Sequence, residues 1–496
     1  MTEPAATQPD GTVPAGFTYL GQFVDHDLTM DRNVDKLGGP IDVEDLLQGR
    51  SPALDLDSVY GRGPADAEDR RFFAADGVRL RTGASQGIPL PDDPVVNQDH
   101  PGFDLPRSSA GDTPAARRAA VVPDQRNDEN LVVAQLHSAF IRFHNRVVDR
   151  LAASGTAPDD LYAAAHGVVV RHYQWLLRTD FLPRIVDPAI VEDVFTHGRR
   201  YFDVPPAGRR SADTPATMPI EFSVAAYRLG HSMVRGAYQW NRLFNSDGPN
   251  KIATLLQLFT FTGDSGNFTP NSTVEQLDDV NAAGLERLPS NWIVDFRRLF
   301  DFTEAGRSDL APPDGQLNHA KRIDSLLVDP LALLPAGTFG GRGTTIAPAQ
   351  RNLAFRNLTR ADMVQLATGQ QMAAFLGVPA LTREAILTGA QGAVLDAMPE
   401  EQRERLARAT PLWFYVLRET ELNRGQLGEV GGRIVAETFH RALENSRTSI
   451  SREPHWRPTL GPDENTFRMT DLLLFAFEGS PDLLNPLGDA VVATAV

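Results

Sequence analysis

Apolar positions recur along most of this chain at three- and four-residue spacing, the period of a helix with one buried face. Leu131 to Leu151 carries Val132, Leu136, Phe140, Phe143 and Val147 in that register. The same pattern predicts helices over Asp160–Phe181, Ile220–Tyr238, Ala361–Leu376, Arg383–Ala397, Pro399–Leu417 and Gly428–Asn445. Strict alternation, the mark of a half-buried strand, is rare and short; Thr344–Ile346 is one instance. Between the helical patterns run long stretches rich in Pro and Gly. Gly83 to Gln125 holds Pro89, Pro91, Pro94, Pro101, Pro106, Pro114 and Pro123, and Pro205–Pro219 and Gly306–Ala320 read alike. Loops of that length inside a compact body are functional or wrap the surface as ordered coil. No repeat period and no low-complexity linker divides the chain. The expectation is a mainly α protein: one large helical domain with long ordered loops and little β, spanning 16–485 between a polar tail at 1–15 and a tail at 486–496.

Composition narrows the chemistry. Of 496 residues, 42% are apolar and 23% charged, the balance of a folded globular chain. Asp and Glu number 64 against 48 Lys and Arg, a formal charge of -16 with no basic block, which argues against nucleic acid as a partner. The absence of cysteine excludes disulfides, thiolate metal sites, thiolate-ligated haem and cysteine nucleophiles. No apolar run approaches the ~20 residues of a membrane span, and the N-terminal residues lack a signal pattern. The expected location is therefore the cytoplasm, or the exterior by a leaderless route. Oligomeric state is not legible.

The first chemical constellation is Gly21-Gln22-Phe23-Val24-Asp25-His26-Asp27. As a helix it sets Gln22, Asp25 and His26 on one face, while Asp27 is turned about 100° further round. An amide, a carboxylate and an imidazole in one stripe suit a buried polar ligand; a solvated face with a chance histidine is the alternative. Two further segments bear on the choice. One is Asp124-Gln125-Arg126-Asn127-Asp128-Glu129, followed by His137-Ser138-Ala139-Phe140-Ile141-Arg142-Phe143-His144-Asn145-Arg146. The other is Ala226-Tyr227-Arg228-Leu229-Gly230-His231-Ser232.

Together these segments resemble the animal-type haem peroxidases of the peroxidase–cyclooxygenase superfamily, and particularly its bacterial branch. That family carries G-Q-x-x-D-H-D, then R-x-x-E with H-x-x-F-x-R-x-H-N-R, then F-R-x-G-H, and all three occur here in order. Arg356-Asn357-Leu358-Thr359-Arg360 and Pro411-Leu412-Trp413-Phe414-Tyr415 extend the likeness. The resemblance implies haem b, possession of a calcium ion, and a role in oxidative-stress chemistry. It casts His26 as the distal histidine that moves a proton between the oxygens of hydrogen peroxide, a task suited to imidazole. Arg126 becomes the cation that stabilises charge on the departing oxygen, and Gln22 lines the peroxide and halide site. Asp25 and Glu129 match carboxylates that ester-link to haem methyls. His231 matches the iron ligand, Asn357 its hydrogen-bond partner, and Arg228 and Arg360 positions near the propionates. Ser51, the Ala53 carbonyl, Asp55, Asp57 and Asp27 match calcium ligands, hard oxygens that suit that ion.

Several positions depart from the family pattern. Tyr227 replaces a phenylalanine, Asp57 stands where serine is usual, and Phe143 where glutamate is usual. Asn130 occupies the place of the methionine that makes a third, sulfonium link in some mammalian members, so that link is excluded and chloride oxidation is put in doubt. The implied reaction is reduction of hydrogen peroxide, through a ferryl state, with oxidation of bromide, iodide, thiocyanate or phenols. The alternative is a fatty-acid dioxygenase, whose reactive tyrosine would lie three residues before His231, where Arg228 stands. His137 and His144 read as packing and hydrogen-bonding residues, and the five tryptophans as core aromatics.

Overall fold

The computed structural model describes residues 1–3, 10–32, 37–205, 214–390 and 392–489. Helix accounts for 47% and strand for 8%, with no closed sheet, so the mainly α expectation holds. The helices that build the site are α1 (Gly16–Leu28), α2 (Leu131–Ala153), α3 (Leu161–Leu176), α4 (Gly230–Met233), α5 (Leu353–Met363), α6 (Leu412–Leu422) and α7 (Glu429–Asn445). Helix α2 is the central column: Asn130 caps it by accepting the Val133 N–H at 3.1 Å, and every apolar position of its predicted face is buried. Against it pack α1, α3 and the helix Met469–Ala476, while α7 packs on Pro188–His197 and α6.

Helix α1 starts where the chain is pressed against Phe300. A Cβ on Gly16 would stand 2.3 Å from that ring, so only glycine admits the approach. Away from α1 the core is aromatic. Trp292 stacks between Phe244 and Phe261, each centroid 4.0 Å away, and its carbonyl accepts the Trp240 indole N–H at 3.0 Å. Trp240, Trp292 and Trp413 are fully buried.

Several predicted helices break. The span Ile220–Tyr238 is a π-helical turn (Glu221–Ala225), a 3-10 turn (Ala226–Leu229) and α4, after which Val234 is extended and Ala237–Tyr238 pairs with Ala253–Thr254. Leu161–Leu176 likewise runs into a π turn, Leu177–Phe181. The pattern over Ala361–Leu376 spans two helices, α5 and Gly369–Leu376, and Arg383–Ala397 is helical only to Thr388. Pro399–Leu417 divides into Glu400–Arg408 and α6, because Pro411 lacks the N–H needed to continue the first helix. The Thr344–Ile346 strand does not form: the Thr344 N–H turns back to the Gly341 carbonyl at 3.0 Å within a glycine-rich bend.

The strands observed form four two-stranded ribbons among the described residues. Gly83–Ser85 with His100–Asp104 gives the first Pro-rich stretch its order, and the helix Pro114–Arg118 follows. Asp10–Pro14 pairs with His319–Lys321, so strand pairing begins ahead of residue 16. Asp489 binds Arg297 at 3.1 Å, and residues 490–496 of the C-terminal stretch lie outside the described ones, as does 206–213 of Pro205–Pro219. Among the described residues no helix is long and apolar enough to cross a membrane.

Candidate functional site

The polar stripe of α1 faces inward. His26 is buried, and its Nδ1 lies 2.9 Å from the Asn127 amide oxygen; its Nε2 makes no hydrogen bond among the described residues and stands 3.9 Å from a Glu129 carboxyl oxygen. Burial first, and then the Arg126 charge, push the His26 pKa down to about 4, so the ring is neutral at pH 7. Thr29 donates to Asp25 at 3.0 Å, and the Asn130 amide, while capping α2, donates to the Gln22 side-chain oxygen at 2.9 Å.

Arg126 and Glu129 come from the 3-10 turn Gln125–Asp128 and the residue after it. Asp124 caps this turn and grips the Arg126 guanidinium at 3.0 and 2.7 Å. Arg126 Nη2 also donates to the carbonyls of His26 and Thr29 at 3.1 and 2.7 Å, which ties the turn to the end of α1; Nη1 has no partner among the described residues. Arg50 joins the same carboxylate and donates to the His26 carbonyl at 3.1 Å. Burial would raise the Asp124 pKa, but hydrogen bonds and charge from Arg126, with the charge of Arg50, hold it well below the usual carboxylate range. Glu129 lies at the other extreme: burial, then the neighbouring Asp264, push it up to about 8, so it carries a proton at neutral pH.

On α4, packed against α1, His231 has Nδ1 2.8 Å from the side-chain amide of Asn357 on α5; its Nε2 has no hydrogen bond among the described residues. Burial, then Arg228, lower its pKa to about 3. Arg228 is held by the Ser223 carbonyl at 2.8 Å, and Trp413 on α6 donates its indole N–H to the Arg228 carbonyl at 3.2 Å. Burial and the charges of Arg228 and Arg360 depress Arg356 below an ordinary arginine, so three guanidinium groups gather beside α4. Arg360 is also paired with Asp31. Gly230 opens on free space: a Cβ there meets nothing within 4 Å. Tyr227 is stacked on Phe222 at 4.6 Å, and its buried hydroxyl, beside Gly21 of α1, has no partner among the described residues.

The predicted calcium donors share a separate corner. Asp27 is fully buried and accepts the Leu56 and Ser58 N–H groups at 3.1 and 3.4 Å; burial, then Asp57 and, more weakly, Asp55, push its pKa well above the usual range. Asp55 accepts the Arg447 N–H at 3.0 Å, and Asp57 takes the Ser51 hydroxyl at 2.6 Å and Arg447 Nη2 at 2.9 Å. Among the described residues no three acidic or imidazole side chains converge as a finished metal cage. A cleft of about 710 Å³ opens here, lined in part by Ser51, Ala53, Asp55, Asp57 and Arg447.

Roles for Asn127, Trp413 and Asp264 escape sequence reasoning, since each acts across a tertiary contact, and Asp124, which grips Arg126 locally, meets Arg50 only through the fold. Only Asp124 left a trace, as a capping residue two positions before Arg126.

A mainly α body with two inward-facing histidines and a cluster of arginines is the class of a helical haem protein, and comparison with known proteins is consistent with that class. The family model for the animal haem peroxidase matches residues 32–280, a stretch that contains Arg126, Glu129 and His231; His26 precedes it and Asn357 follows it. The chain belongs to the animal haem peroxidase family. It is 26% identical over 242 residues to a chorion peroxidase of Aedes aegypti, covering 47% of this chain and 27% of that protein. It is 31% identical over 297 residues to a peroxidase-like protein of Margaritifera margaritifera, covering 49% and 35%. The chain thus matches about a third or less of the length of these curated relatives. In fold it is similar to peroxidase A of Dictyostelium discoideum, with TM-score 0.56 at 15% identity over 95% of this chain and 91% of that one. It is also similar to a fatty acid alpha-dioxygenase of Oryza sativa, with TM-score 0.51 at 13% identity over 97% and 75%.

Family membership implies haem, and the residues fit one: a neutral imidazole with a free Nε2, clustered guanidinium groups for carboxylates, and open space beside Gly230.

Proposed function

We propose that the protein is a haem peroxidase that reduces hydrogen peroxide and oxidises small anions such as bromide, iodide or thiocyanate, or phenols. One observation carries the reading. A buried histidine, His26, and a partly buried one, His231, sit on packed helices, and each has Nδ1 held by an asparagine and, among the described residues, Nε2 without a hydrogen bond. His231 Nε2 would ligate the iron, with Nδ1–H donated to Asn357 once that amide presents its oxygen, a half-turn that exchanges O and N. Arg228, Arg356 and Arg360 would hold the propionates. Asp25 and Glu129 are the carboxyls available for ester links. Haem supplies the iron that accepts the oxidising equivalents of peroxide.

The other steps belong to the chain. His26, neutral at pH 7, takes the peroxide proton on Nε2 and returns it to the departing oxygen. Arg126, pinned by Asp124 and two carbonyls, offers Nη1 to the charge that develops there. Gln22, held by Asn130, lines the same space. Because position 130 is asparagine, no sulfonium link forms there, and donors easier to oxidise than chloride are favoured. Calcium would bind Asp27, Asp55, Asp57, Ser51 and the Ala53 carbonyl by displacing Arg447, a fit that rests on the hard oxygens of Ser51, Ala53, Asp55 and Asp57 lining one cleft, with the buried Asp27 carboxyl as the fifth donor. The working domain limits are 16–485.

A fatty-acid oxygenase is the second reading, favoured by the fold likeness alone. It is opposed by Arg228 at the position where that chemistry needs a tyrosine, and by Tyr227, whose ring is stacked into the core. The test is a Soret spectrum of the haem-loaded chain before and after one equivalent of peroxide, beside oxygen uptake with an unsaturated fatty acid. His26→Ala and Arg126→Ala should each slow the peroxide-dependent spectral change by about 100-fold or more with haem still bound, and His231→Ala should lose haem. Unchanged rates in both distal variants would refute the assignment.

A further inference from the structure

We propose that His137, acting through Asn127 and the Ser58 carbonyl, locks the tautomer of His26 and is thereby a positioning residue for the peroxide step. The proposal rests on the reading of His26 as the base in that step. Asn127 is fully buried and its amide has neighbours on both sides. Its oxygen lies 2.9 Å from His26 Nδ1; its nitrogen lies 2.9 Å from His137 Nδ1 and 3.5 Å from the Ser58 carbonyl oxygen.

An asparagine amide turned by half a rotation exchanges its oxygen and nitrogen. Here the third neighbour opposes the turn. A main-chain carbonyl can only accept, so the reversed amide would set two oxygens against each other with no proton between them. The arrangement with the nitrogen towards Ser58 and His137 and the oxygen towards His26 is therefore the favoured one. Two protons are placed in consequence. His26 carries its proton on Nδ1, leaving the Nε2 lone pair directed at the peroxide space; His137 keeps Nδ1 bare to accept from Asn127. A ring with the opposite tautomer would present N–H to peroxide and could not act as a base.

His137 is itself held. It is buried on α2, and its ring meets Phe23 edge-on at 5.9 Å, with Phe23 on the same helix as His26. Its ring is thus fixed from the element that carries the base. Without it the Asn127 nitrogen would keep only the Ser58 contact, at the outer limit of a hydrogen bond. Ser58 belongs to the short helix Asp57–Tyr60, so the base is also tied to the loop of the calcium donors.

The test uses the full haem-loaded chain. His137→Phe keeps a ring against Phe23 and removes the acceptor; His137→Asn places an amide oxygen near the Nδ1 position and restores it. Phe should slow reaction with peroxide by about 10- to 100-fold, the usual cost of losing an orienting partner. Haem uptake and the rate of phenol oxidation in the following step should stay at parent values, and Asn should recover most of the loss. The direct readout is ¹⁵N NMR of histidine-labelled protein as its reduced, diamagnetic carbon monoxide complex, with the His26 signals identified by their absence in His26→Gln. Nδ1-protonated His26 in the parent and in His137→Asn supports the lock. Nε2-protonated His26 overturns it, as does a His137→Phe variant that reacts at the parent rate. If His137→Phe does not fold, the tautomer in the parent and in His137→Asn still decides. A parent that binds haem yet ignores peroxide would sink the peroxidase reading, and the tautomer measurement would then judge the lock separately.

Discussion

Gly230 offers a quantitative check on where the haem would lie. Its backbone angles, φ -56° and ψ -24°, are ordinary right-handed helix, and a Cβ there would touch nothing within 4 Å. Nothing in the backbone demands glycine, so Gly230→Ala should stabilise the haem-free chain by up to about 1 kcal/mol, the difference in helix propensity and unfolded-chain entropy. Across 496 residues, at roughly 2 cal/mol/K of unfolding entropy each, that moves Tm by only about 1 °C. Denaturant titration, read as a shift in midpoint at constant m, is therefore the assay. A longer side chain tests the open space itself. Gly230→Leu projects into it, and displacing a ring seated there would cost roughly 1–3 kcal/mol, or about 5- to 150-fold in haem affinity by Soret titration. The reasoning fails if Gly230→Ala destabilises the haem-free chain by about 1 kcal/mol, or if Gly230→Leu binds haem as tightly as the parent.

Tyr227→Phe removes a buried hydroxyl with no partner and should be neutral or stabilising by up to about 1 kcal/mol in the same titration; a loss of stability would mean the hydroxyl is bonded. His144 is buried between the Tyr60 hydroxyl at 3.0 Å and the Val78 carbonyl at 2.9 Å, and burial lowers its pKa to about 4. The folded state thus favours the neutral ring: its contribution is present above the ordinary pKa of about 6.5 and is lost as pH falls from there towards 4. The stability of the parent relative to His144→Gln should shrink by up to ~3 kcal/mol between pH 7 and 4, and a constant gap would contradict this. Arg447→Ala frees Asp55 and Asp57, so it should enlarge the stabilisation by added calcium, which reaches about 2.7 kcal/mol at a hundred times Kd. Asp27→Asn should abolish that response, and an equal response in both variants would exclude the site.

What the sequence determined by itself was local. The period of α2 and the one-face placement of Gln22, Asp25 and His26 depend on neighbours a few positions away, and both are present in the structure. Patterning misjudged the run from Ile220 to Tyr238, because its apolar spacing fits a regular helix while packing forces π, 3-10 and α turns in succession around His231. It read His137 as a packing and hydrogen-bonding residue but could not reveal that its partner is Asn127, or that Trp413 holds the Arg228 carbonyl. Those contacts join residues far apart in the chain. A side chain's type shows what bond it can make, but only the folded chain decides which partner fills it, since a buried donor must be satisfied by whatever the packing brings within reach.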